Sequence, residues 1–383
     1  MNNFKNAMTV LKIFKKHEFE AFIVGGAVRD YLLKMPYSDI DITTNAKPEE
    51  VMKFFKSAPT GLKYGTVTIF FNDFEYEVTT YRSDGEYLDS RHPESVEFMD
   101  DVIEDVKRRD FTINSMLMDL TGKIHDHFGG MKDIKYKIIK TVGNPIDRFN
   151  EDALRMLRAF YFQAKLGFEL DKETEDAILN NRHLIKDISA ERVLNEVIKM
   201  IQAPNLKLAL SKMLDTKVAE VLPGLEKGIK HFVKMDEMPY VDVFFATAFA
   251  LEGRVPSYWK FSNQHRNRYE KAVEIVNKEL AFDGKTLYLY GLEISLLANR
   301  VLYALGKDLL RTNEITNDFN NLPINSSLDL KVRGKSILNI TNRKAGAWVN
   351  KLTEEMVMLV LDGKLKNNKT SLEEFVLNNF ERF

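Results

Sequence analysis

The chain has 383 residues, more than the roughly 250–300 that one hydrophobic core usually organises, so several domains are expected. It has 44% apolar residues and a formal net charge of −1. It contains no cysteine, and this excludes a disulfide framework and a thiolate metal site. No apolar run reaches membrane-spanning length and the first residues lack a signal-like apolar core. We therefore expect a cytoplasmic protein without a membrane partner.

A glycine turn follows the first predicted strand. Residues 21–24, Ala-Phe-Ile-Val, predict a buried strand, and residues 28–33 predict the first turns of a helix. Gly25 and Gly26 lie between them, where backbone N–H groups and the helix dipole favour an anion such as a triphosphate. A Gly-Gly pair alone indicates only a turn, because glycine adopts backbone angles that other residues avoid.

Two carboxylates lie on the next predicted strand, residues 38–43. Because side chains alternate along a strand, Asp39 and Asp41 share one face, roughly 6.6 Å apart at the backbone. Such a pair can hold two cations about 3.5–4 Å apart, an arrangement that promotes displacement at phosphorus. Mg²⁺ is the expected ion, because it prefers hard oxygen ligands and nucleotide phosphates. An Asp-x-Asp pair alone is typical of a solvated strand end, but beside the glycine turn it indicates nucleotidyl transfer.

The rest of the chain changes character near residues 144–145, Asn-Pro. Before them, a helix after Pro48 and several strands predict a mixed sheet. The predicted strands are residues 66–71, 74–81 and 115–119. After them, long amphipathic segments predict an almost wholly helical remainder. These segments are residues 151–166, 190–201, 241–251 and 354–361. The sequence thus predicts an α+β protein.

These motifs resemble the class II CCA-adding enzymes, the bacterial tRNA nucleotidyltransferases of the polymerase-beta-like nucleotidyltransferase superfamily. Four further motifs extend the resemblance over nearly the whole chain. They are residues 77–82, 108–116, 148–155 and 191–196. The family adds C, C and A to the 3′ end of tRNA without a nucleic-acid template, using CTP, ATP and a divalent metal. The resemblance implies this activity, with Mg²⁺ as cofactor, pyrophosphate as product and tRNA lacking part or all of its 3′ CCA as partner. No obligate protein partner is evident.

The resemblance also implies four parts in series, an N-terminal mixed-sheet nucleotidyltransferase head followed by an all-α neck, body and tail. The predicted borders are 1–140 for the head, 141–205 for the neck that recognises the base, and 206–275 and 276–383 for the tRNA-binding body and tail. Polar residues 83–101 predict a mobile loop. In the family, this position holds a flexible loop needed for the switch to ATP.

A third acid is expected beside the aspartates. Alternation places Asp73, Glu75 and Glu77 on one face of the next strand, and spacing does not choose among them. The family pattern Glu-Val-Thr-Thr-x-Arg selects Glu77, near the attacking hydroxyl, and leaves the other two on the surface. Arg29 and Arg82 are candidates for triphosphate contact, because guanidinium groups match phosphate oxygens. A structural ion pair is the alternative for each.

The resemblance implies further contacts to the nucleotide. Arg109 and Asp110 are implied to recognise the ribose, since a carboxylate can accept from the 2′-hydroxyl; the alternative is a solvated helix start capped by Asp110. The residues implied to bind nucleotide are Gly25, Gly26, Arg29, Arg109, Asp110, Asp152, Arg155 and Arg158. Residues 191–196 are interpreted as structural support.

Asp152 and Arg155 lie three apart on a predicted helix, a spacing of about 5–6 Å that also suits a surface ion pair. Cytosine and adenine each present an amino donor beside a ring-nitrogen acceptor, whereas uracil and guanine reverse that order. A fixed carboxylate and guanidinium would therefore accept CTP and ATP and leave UTP and GTP mismatched. The family's Glu-Asp-x-x-Arg motif implies this base-reading role.

The C-terminal part is locally basic. Residues 331–369 contain nine Lys or Arg against three acids. Charge alone indicates a solvated helix face, but the resemblance favours contact with tRNA phosphates. The candidates are Lys335, Arg343, Lys344 and Lys364.

Two other enzymes fit parts of this pattern. A bacterial poly(A) polymerase shares the catalytic head, but its arginine-rich stretch after the metal site is absent, and residues 63–68 instead are Lys-Tyr-Gly-Thr-Val-Thr. A partial CC- or A-adding tRNA nucleotidyltransferase is the second alternative. The chain has no Walker and no Gly-x-Gly-x-x-Gly motif, which argues against P-loop and Rossmann proteins.

Overall fold

The structure is a computed structural model that describes residues 2–36, 39–84 and 96–383. It divides into two compact units. The first runs to Pro223 and includes Ile229–Met238; the second comprises Gly224–Gly228 and Pro239–Phe383. The four-part borders proposed from the sequence remain predictions.

The first unit contains the strands. They are β1 Ala21–Val24, β2 Asp41–Thr44, β3 Ser57–Gly61, β4 Thr66–Phe71, β5 Phe74–Thr80, β6 Arg82–Asp84, β7 Val96–Phe98, β8 Leu117–Met118, β9 Ile124–His125, β10 Ile138–Ile139 and β11 Glu169–Leu170. Seven of them form one sheet in the order β3-β4-β5-β2-β1-β8-β9. The pair β2 and β5 is parallel, and the other neighbours are antiparallel, so the sheet is mixed as predicted.

The first unit also contains helices. The first ones pack on the sheet, and those from residue 145 onward follow it in the chain. These helices of the first unit are α1 Asn2–Lys16, α2 Gly26–Leu32, α3 Pro48–Phe54, α4 Val102–Lys107, α5 Gly130–Tyr136, α6 Pro145–Glu151, α7 Leu154–Leu166, α8 Lys172–Asn181, α9 Ala190–Ile201 and α10 Leu206–Asp215. The core of the sheet domain joins the apolar face of α1 to inward residues of the central strands, among them Phe14, Ile23, Ile42 and Val78. Alternation along each strand leaves the other face for the polar site.

The remaining helices are α11 Glu226–Phe232, α12 Val241–Glu252, α13 Asn263–Asn277, α14 Gly284–Ala304, α15 Thr312–Asn320, α16 Gly334–Thr341, α17 Ala347–Leu361 and α18 Lys369–Asn379. Apart from the first, they belong to the second unit, whose C-terminal core packs around Trp348, Leu352 and Met356. The predicted α+β class, with a mixed sheet first and helices after it, is confirmed. Among the described residues, no helix has both the length and the apolar character to cross a bilayer.

Three sequence predictions need correction. The predicted helix over residues 151–166 is two helices, because α6 ends at Glu151 and α7 begins at Leu154. The predicted strand over residues 38–43 begins only at Asp41, so Asp39 precedes it. The predicted strand near residues 115–119 is limited to Leu117–Met118. Of the predicted mobile loop, residues 85–95 lie outside the described part of the chain, whereas β6 and β7 at its ends pair antiparallel.

Candidate active site

The glycine turn and the central carboxylates meet at one end of the sheet. Gly25 has φ of +76° and precedes α2, which begins at Gly26. A Cβ atom on Gly25 would lie 3.2 Å from Arg109 Nη1 and 3.6 Å from Asp41 Oδ2. Glycine therefore serves two purposes there, since it permits the left-handed backbone and lets the turn approach two charged side chains.

Asp41 and Glu77 are direct neighbours, because β2 and β5 pair in parallel with these two residues opposite each other. Desolvation by burial raises the pKa of Asp41; the Arg109 guanidinium opposes this change, and the negative charge of Asp39 adds to it. Desolvation also raises the pKa of Glu77, as does Asp41, whereas Arg82 lowers it. A like charge that raises the pKa of a neighbouring carboxyl, as Asp41 does for Glu77, marks a place where a cation would be stabilised.

The other two acids of the predicted face lie apart from this cluster. Asp73 is in the turn between β4 and β5, with φ of +63°, rather than on the strand. Glu75 is exposed on β5, as Glu77 is, but it lies two residues before the position that pairs with Asp41. Arg82, a candidate for triphosphate contact, donates a hydrogen bond to the carbonyl oxygen of Tyr64. The strand register thus singles out Glu77 as the neighbour of Asp41, which spacing alone did not.

An open cavity of about 440 Å³ adjoins these carboxylates. The eight residues that the resemblance implies to bind nucleotide line it, together with Asp41, whereas Arg82 is not among its lining residues. Its other lining residues were not predicted: Asn114, Tyr161, Phe162, Lys165 and Lys199. The structure thus brings residues from four separate motifs to one volume large enough for a nucleotide. Their roles toward a nucleotide remain predictions.

Arg29 is buried at the floor of this cavity. Its Nε donates to Asp30 Oδ1 at 2.7 Å, and its guanidinium lies 5.0 Å from the centre of the Phe162 ring. Nη1 donates to Asn114 Oδ1. The structural ion pair, given above as the alternative for Arg29, is therefore present in a side chain that also lines the cavity. Asp30 in addition binds Lys165, whose Nζ is 3.1 Å away.

Asp110 and Arg158 form a two-point ion pair. Arg158 Nε and Nη2 lie 2.8 and 2.7 Å from Asp110 Oδ2, while Oδ1 accepts from the Phe111 N–H and from Asn114 Nδ2. Burial favours a higher pKa for Asp110, but Arg158 and these hydrogen bonds outweigh it and lower the pKa. The alternative of a solvated helix start is wrong, because Asp110 is buried and the 3-10 turn that follows begins at Thr112.

Asp152 and Arg155 do not pair with each other, because the helix breaks between them. Asp152 is extended, with φ of −146° and ψ of 102°, and its Oδ1 accepts from the Leu154 N–H. Its Oδ2 lies 2.7 Å from Arg192 Nη2. Arg155 instead pairs with Glu151 at 2.6 Å. The alternative of a surface ion pair between these two residues is therefore wrong, and both side chains line the cavity.

Two backbone carbonyl oxygens also hold Arg155. It donates from Nη1 to the carbonyl oxygen of Arg148 at 3.0 Å and from Nη2 to that of Arg108 at 2.8 Å. Its side chain is only 9% exposed. A guanidinium fixed by a carboxylate and two carbonyl oxygens presents its remaining donors in one direction.

Sequence reasoning missed Arg192 and Lys165. Arg192 lies in the motif that was interpreted as structural support, and no local signal connects it with Asp152. Lys165 did carry a signal, because it lies seven residues after Arg158 on the same helix and therefore on the same face. A count of cationic side chains along that face would have found it.

The predicted tRNA contacts lie in the second unit, and all four are exposed. The guanidinium of Arg343 stacks 4.8 Å from the centre of the Trp348 ring and donates to the carbonyl oxygen of Phe380. Lys364 Nζ is 3.3 Å from Asp362 Oδ2. Their role toward RNA remains a prediction.

Three protein-family models match successive parts of the chain. The family model described as "Poly A polymerase head domain" matches residues 21–140, which include the glycine turn and the carboxylates. "Probable RNA and SrmB- binding site of polymerase A" matches residues 167–229, and "tRNA nucleotidyltransferase domain 2 putative" matches residues 253–376. The three matches follow one another along the chain.

Similar proteins extend the match over the whole length. The CCA-adding enzyme of Anoxybacillus flavithermus is 37% identical, with 99% of this chain and 98% of the relative covered, and that of Bacillus subtilis is 36% identical over 97% and 98%. The crystal structure of the Bacillus stearothermophilus CCA-adding enzyme in complex with CTP superposes with a TM-score of 0.85, at 33% identity over 99% of this chain and 98% of that one. From this full-length similarity, the chain belongs to the family of CCA-adding enzymes, which are tRNA nucleotidyltransferases.

Proposed function

We propose that this enzyme adds C, C and A to the 3′ end of tRNA without a nucleic-acid template, using CTP and ATP and releasing pyrophosphate. The observation that carries the proposal is the position of Asp41 and Glu77, paired across two strands beside a cavity lined by Arg29, Arg109 and Arg158. Carboxylates beside a cationic cavity suit a nucleoside triphosphate and its counter-ion. The B. stearothermophilus relative, crystallised with CTP, supports the same ligand class.

The donor set near Asp41 fits a divalent cation. Among the described residues, no three His, Asp or Glu side chains lie close enough to hold an ion unaided. Mg²⁺ usually takes one or two carboxylates and completes its shell with water and substrate phosphates. Asp39 and Asp41 would hold it here. When bound, such ions activate the attacking hydroxyl and stabilise charge on the leaving oxygens.

The residues of the chain supply the rest of the transfer. The 3′-oxygen of the RNA forms a bond to the α-phosphorus, the bond to the leaving pyrophosphate breaks, and the hydroxyl loses its proton. Glu77 lies beside Asp41 with a raised pKa, which places a proton-accepting carboxylate near that hydroxyl. The Gly26 N–H region and the Arg29 guanidinium group receive the triphosphate. Arg109, which the resemblance placed at the ribose, lies against Gly25 and acts on the charge of Asp41, so we assign it to the triphosphate as well.

Base selection is assigned to Asp152 and Arg155. Each is fixed by contacts that leave part of its hydrogen-bonding capacity directed at the cavity: Arg192 and the Leu154 N–H hold the carboxylate, and Glu151 holds the guanidinium. A rigid acceptor beside a rigid donor matches cytosine and adenine and opposes uracil and guanine. No nucleic-acid template is then required, because the protein itself presents the complementary groups.

The exposed cations of the second unit are assigned to the tRNA backbone. Each phosphate that a cation neutralises releases counter-ions, so affinity falls with salt concentration. Replacement of Lys335 and Lys344 by Ala should therefore weaken binding of tRNA and reduce its salt dependence, with the KM for CTP unchanged. Unchanged salt dependence would remove these two residues from the interface.

The deciding experiment is an extension assay on tRNA that lacks its last three nucleotides, with Mg²⁺ and with CTP and ATP singly and together. We expect two additions with CTP alone and a stop after three with both. A long adenosine tail would instead indicate a poly(A) polymerase, and a stop after two cytidines a partial enzyme. Asp41→Asn should abolish extension, whereas Asp73→Asn, an exposed acid in a nearby turn, is the matched control and should extend normally.

A further inference from the structure

Asp105 on α4 is an anion without solvent exposure. Its side chain is 0% exposed, yet it belongs to none of the motifs that identify the active site. Transfer of a carboxylate to the interior is unfavourable unless several groups compensate its charge. The groups that compensate the charge of Asp105 are Arg108, Arg109 and Thr43, and each of them is connected with the active site.

Two consecutive arginines compensate the charge. Asp105 Oδ1 accepts from Arg108 Nε at 3.0 Å and from Nη2 at 2.7 Å, and Asp105 Oδ2 lies 3.5 Å from Arg109 Nη2. Burial acts to raise the pKa of Asp105, but these two guanidinium groups and the hydroxyl of Thr43 lower it. The carboxylate is therefore ionised and binds both side chains of the turn that follows its helix.

The third partner connects Asp105 to the strand that carries Asp41. Thr43 Oγ1 donates to Asp105 Oδ2 at 3.1 Å. Thr43 lies two residues after Asp41 on β2, so both side chains point to the same face of the sheet. Through this bond, α4 is aligned with the catalytic strand.

Arg109 has unused capacity in the direction of the cavity. Its Nη1 approaches Gly25, its guanidinium acts on the charge of Asp41, and its Nε has no hydrogen-bond partner among the described residues. Its ion pair with Asp105 is long, at 3.5 Å. Arg108 in turn presents the carbonyl oxygen that receives Arg155. The buried carboxylate of Asp105 thus contacts Arg109, which is assigned to the phosphates, and holds the Arg108 turn that binds Arg155, which is assigned to the base.

We propose that Asp105 is a positioning residue for nucleotide binding: it directs Arg109 toward the triphosphate and holds the Arg108 turn on which Arg155 docks. The inference rests on the proposed function, because Arg109 and Arg155 are taken as nucleotide contacts. Asp105 itself touches no substrate. Its effect on the reaction is transmitted by Arg109 and Arg155.

The test is a double-mutant cycle on the full-length enzyme, with CTP addition to tRNA lacking CCA. Asp105→Asn keeps the shape of the side chain and removes its charge. We expect the KM for CTP to rise about tenfold, the order of loss found when a group that orients a direct ligand is removed. Arg109→Ala should raise KM at least as much, and the double variant should raise it by less than the product of the two single effects. A residue that only supports the fold would lower the active fraction and kcat, with KM unchanged.

Controls separate the possible failures. Glu104→Gln changes the neighbouring acid, which pairs with Lys107 at the surface, and should leave KM unchanged. If Asp105→Asn does not fold, Thr43→Val decides instead; it removes the hydroxyl that lies 3.1 Å from Asp105 Oδ2 and 3.3 Å from the Thr79 carbonyl oxygen, and it should raise KM about fivefold, the equivalent of one hydrogen bond. Additive effects in the double variant, or an unchanged KM in Thr43→Val, would overturn the positioning role of Asp105. Neither result would contradict the proposed contact of Arg109 with the nucleotide. An unchanged KM in Arg109→Ala would refute the nucleotide contact itself.

Discussion

Replacement of Arg158 by leucine should lower the free energy of unfolding, because it leaves the buried Asp110 carboxylate without a counter-charge. In the wild-type protein, Arg158 binds Asp110 Oδ2 through two donors, and the two side chains are 33% and 10% exposed. In Arg158→Leu, Asp110 Oδ1 keeps its bonds from the Phe111 N–H and Asn114, but Oδ2 loses its counter-charge. The carboxylate then remains buried with half of its acceptors unpaired.

The magnitude follows from that geometry. Removal of one partner of a buried ion pair costs about 3–5 kcal/mol, and removal of both costs much less. Because Arg158 is partly exposed and Asp110 keeps two hydrogen bonds, we expect the lower end, about 3 kcal/mol. For a unit of this size, that corresponds to a fall in Tm of about 6–12 °C. Asp110→Asn combined with Arg158→Leu should recover at least half of the loss.

The loss should also depend on pH. The folded-state pKa of Asp110 is lowered, so the pair stabilises the protein above the unfolded pKa of about 3.9 and this stabilisation disappears as pH falls through the folded pKa. In Arg158→Leu, burial acts without a counter-charge and raises the pKa of Asp110. The variant can therefore protonate Asp110 on mild acidification, and its deficit in Tm relative to wild type should narrow from about pH 7 to about pH 5.

Calorimetry of wild type, both single variants and the double variant, at each pH, measures this cycle. Lys172→Leu, which breaks an ion pair exposed at the surface, is the control and should leave Tm unchanged. A deficit that stays constant with pH, or a double variant less stable than Arg158→Leu, would refute the reasoning from the buried charge.

Three further outcomes are expected. Arg192→Ala frees Asp152 Oδ2 from its ion pair, so UTP incorporation relative to CTP should rise in single-nucleotide assays; an unchanged ratio would deny Arg192 a part in base selection. Chelation of divalent ions should stop extension by wild type and added Mg²⁺ should restore it, while Asp41→Asn should stay inactive at every Mg²⁺ concentration. Gly130→Ala would place a Cβ 2.3 Å from a backbone carbonyl oxygen, so urea unfolding should show a loss of about 1–3 kcal/mol; Gly334→Ala, whose nearest atom is 3.9 Å away, should match wild type.

The features that the sequence determined are local in the chain. The strands over residues 21–24 and 66–71 and the helix over residues 190–201 have the predicted bounds, because apolar periodicity and strand alternation act over a few residues. Glycine at position 25 is similarly a local requirement of the turn. The eight residues implied to bind nucleotide line one cavity. They were identified from the family resemblance and not from any spacing in the sequence.

Tertiary structure decided which charges pair. Asp152 binds Arg192, 40 residues away, and Asp110 binds Arg158, 48 residues away, instead of close neighbours. The helix break at Asp152 is the physical reason for the first pair. Its carboxylate caps the next helix through the Leu154 N–H, a local bond that competes with helix continuation and that an amphipathic pattern does not reveal. The pairs form where the packed helices and sheet bring distant side chains together, and a linear pattern does not contain those distances.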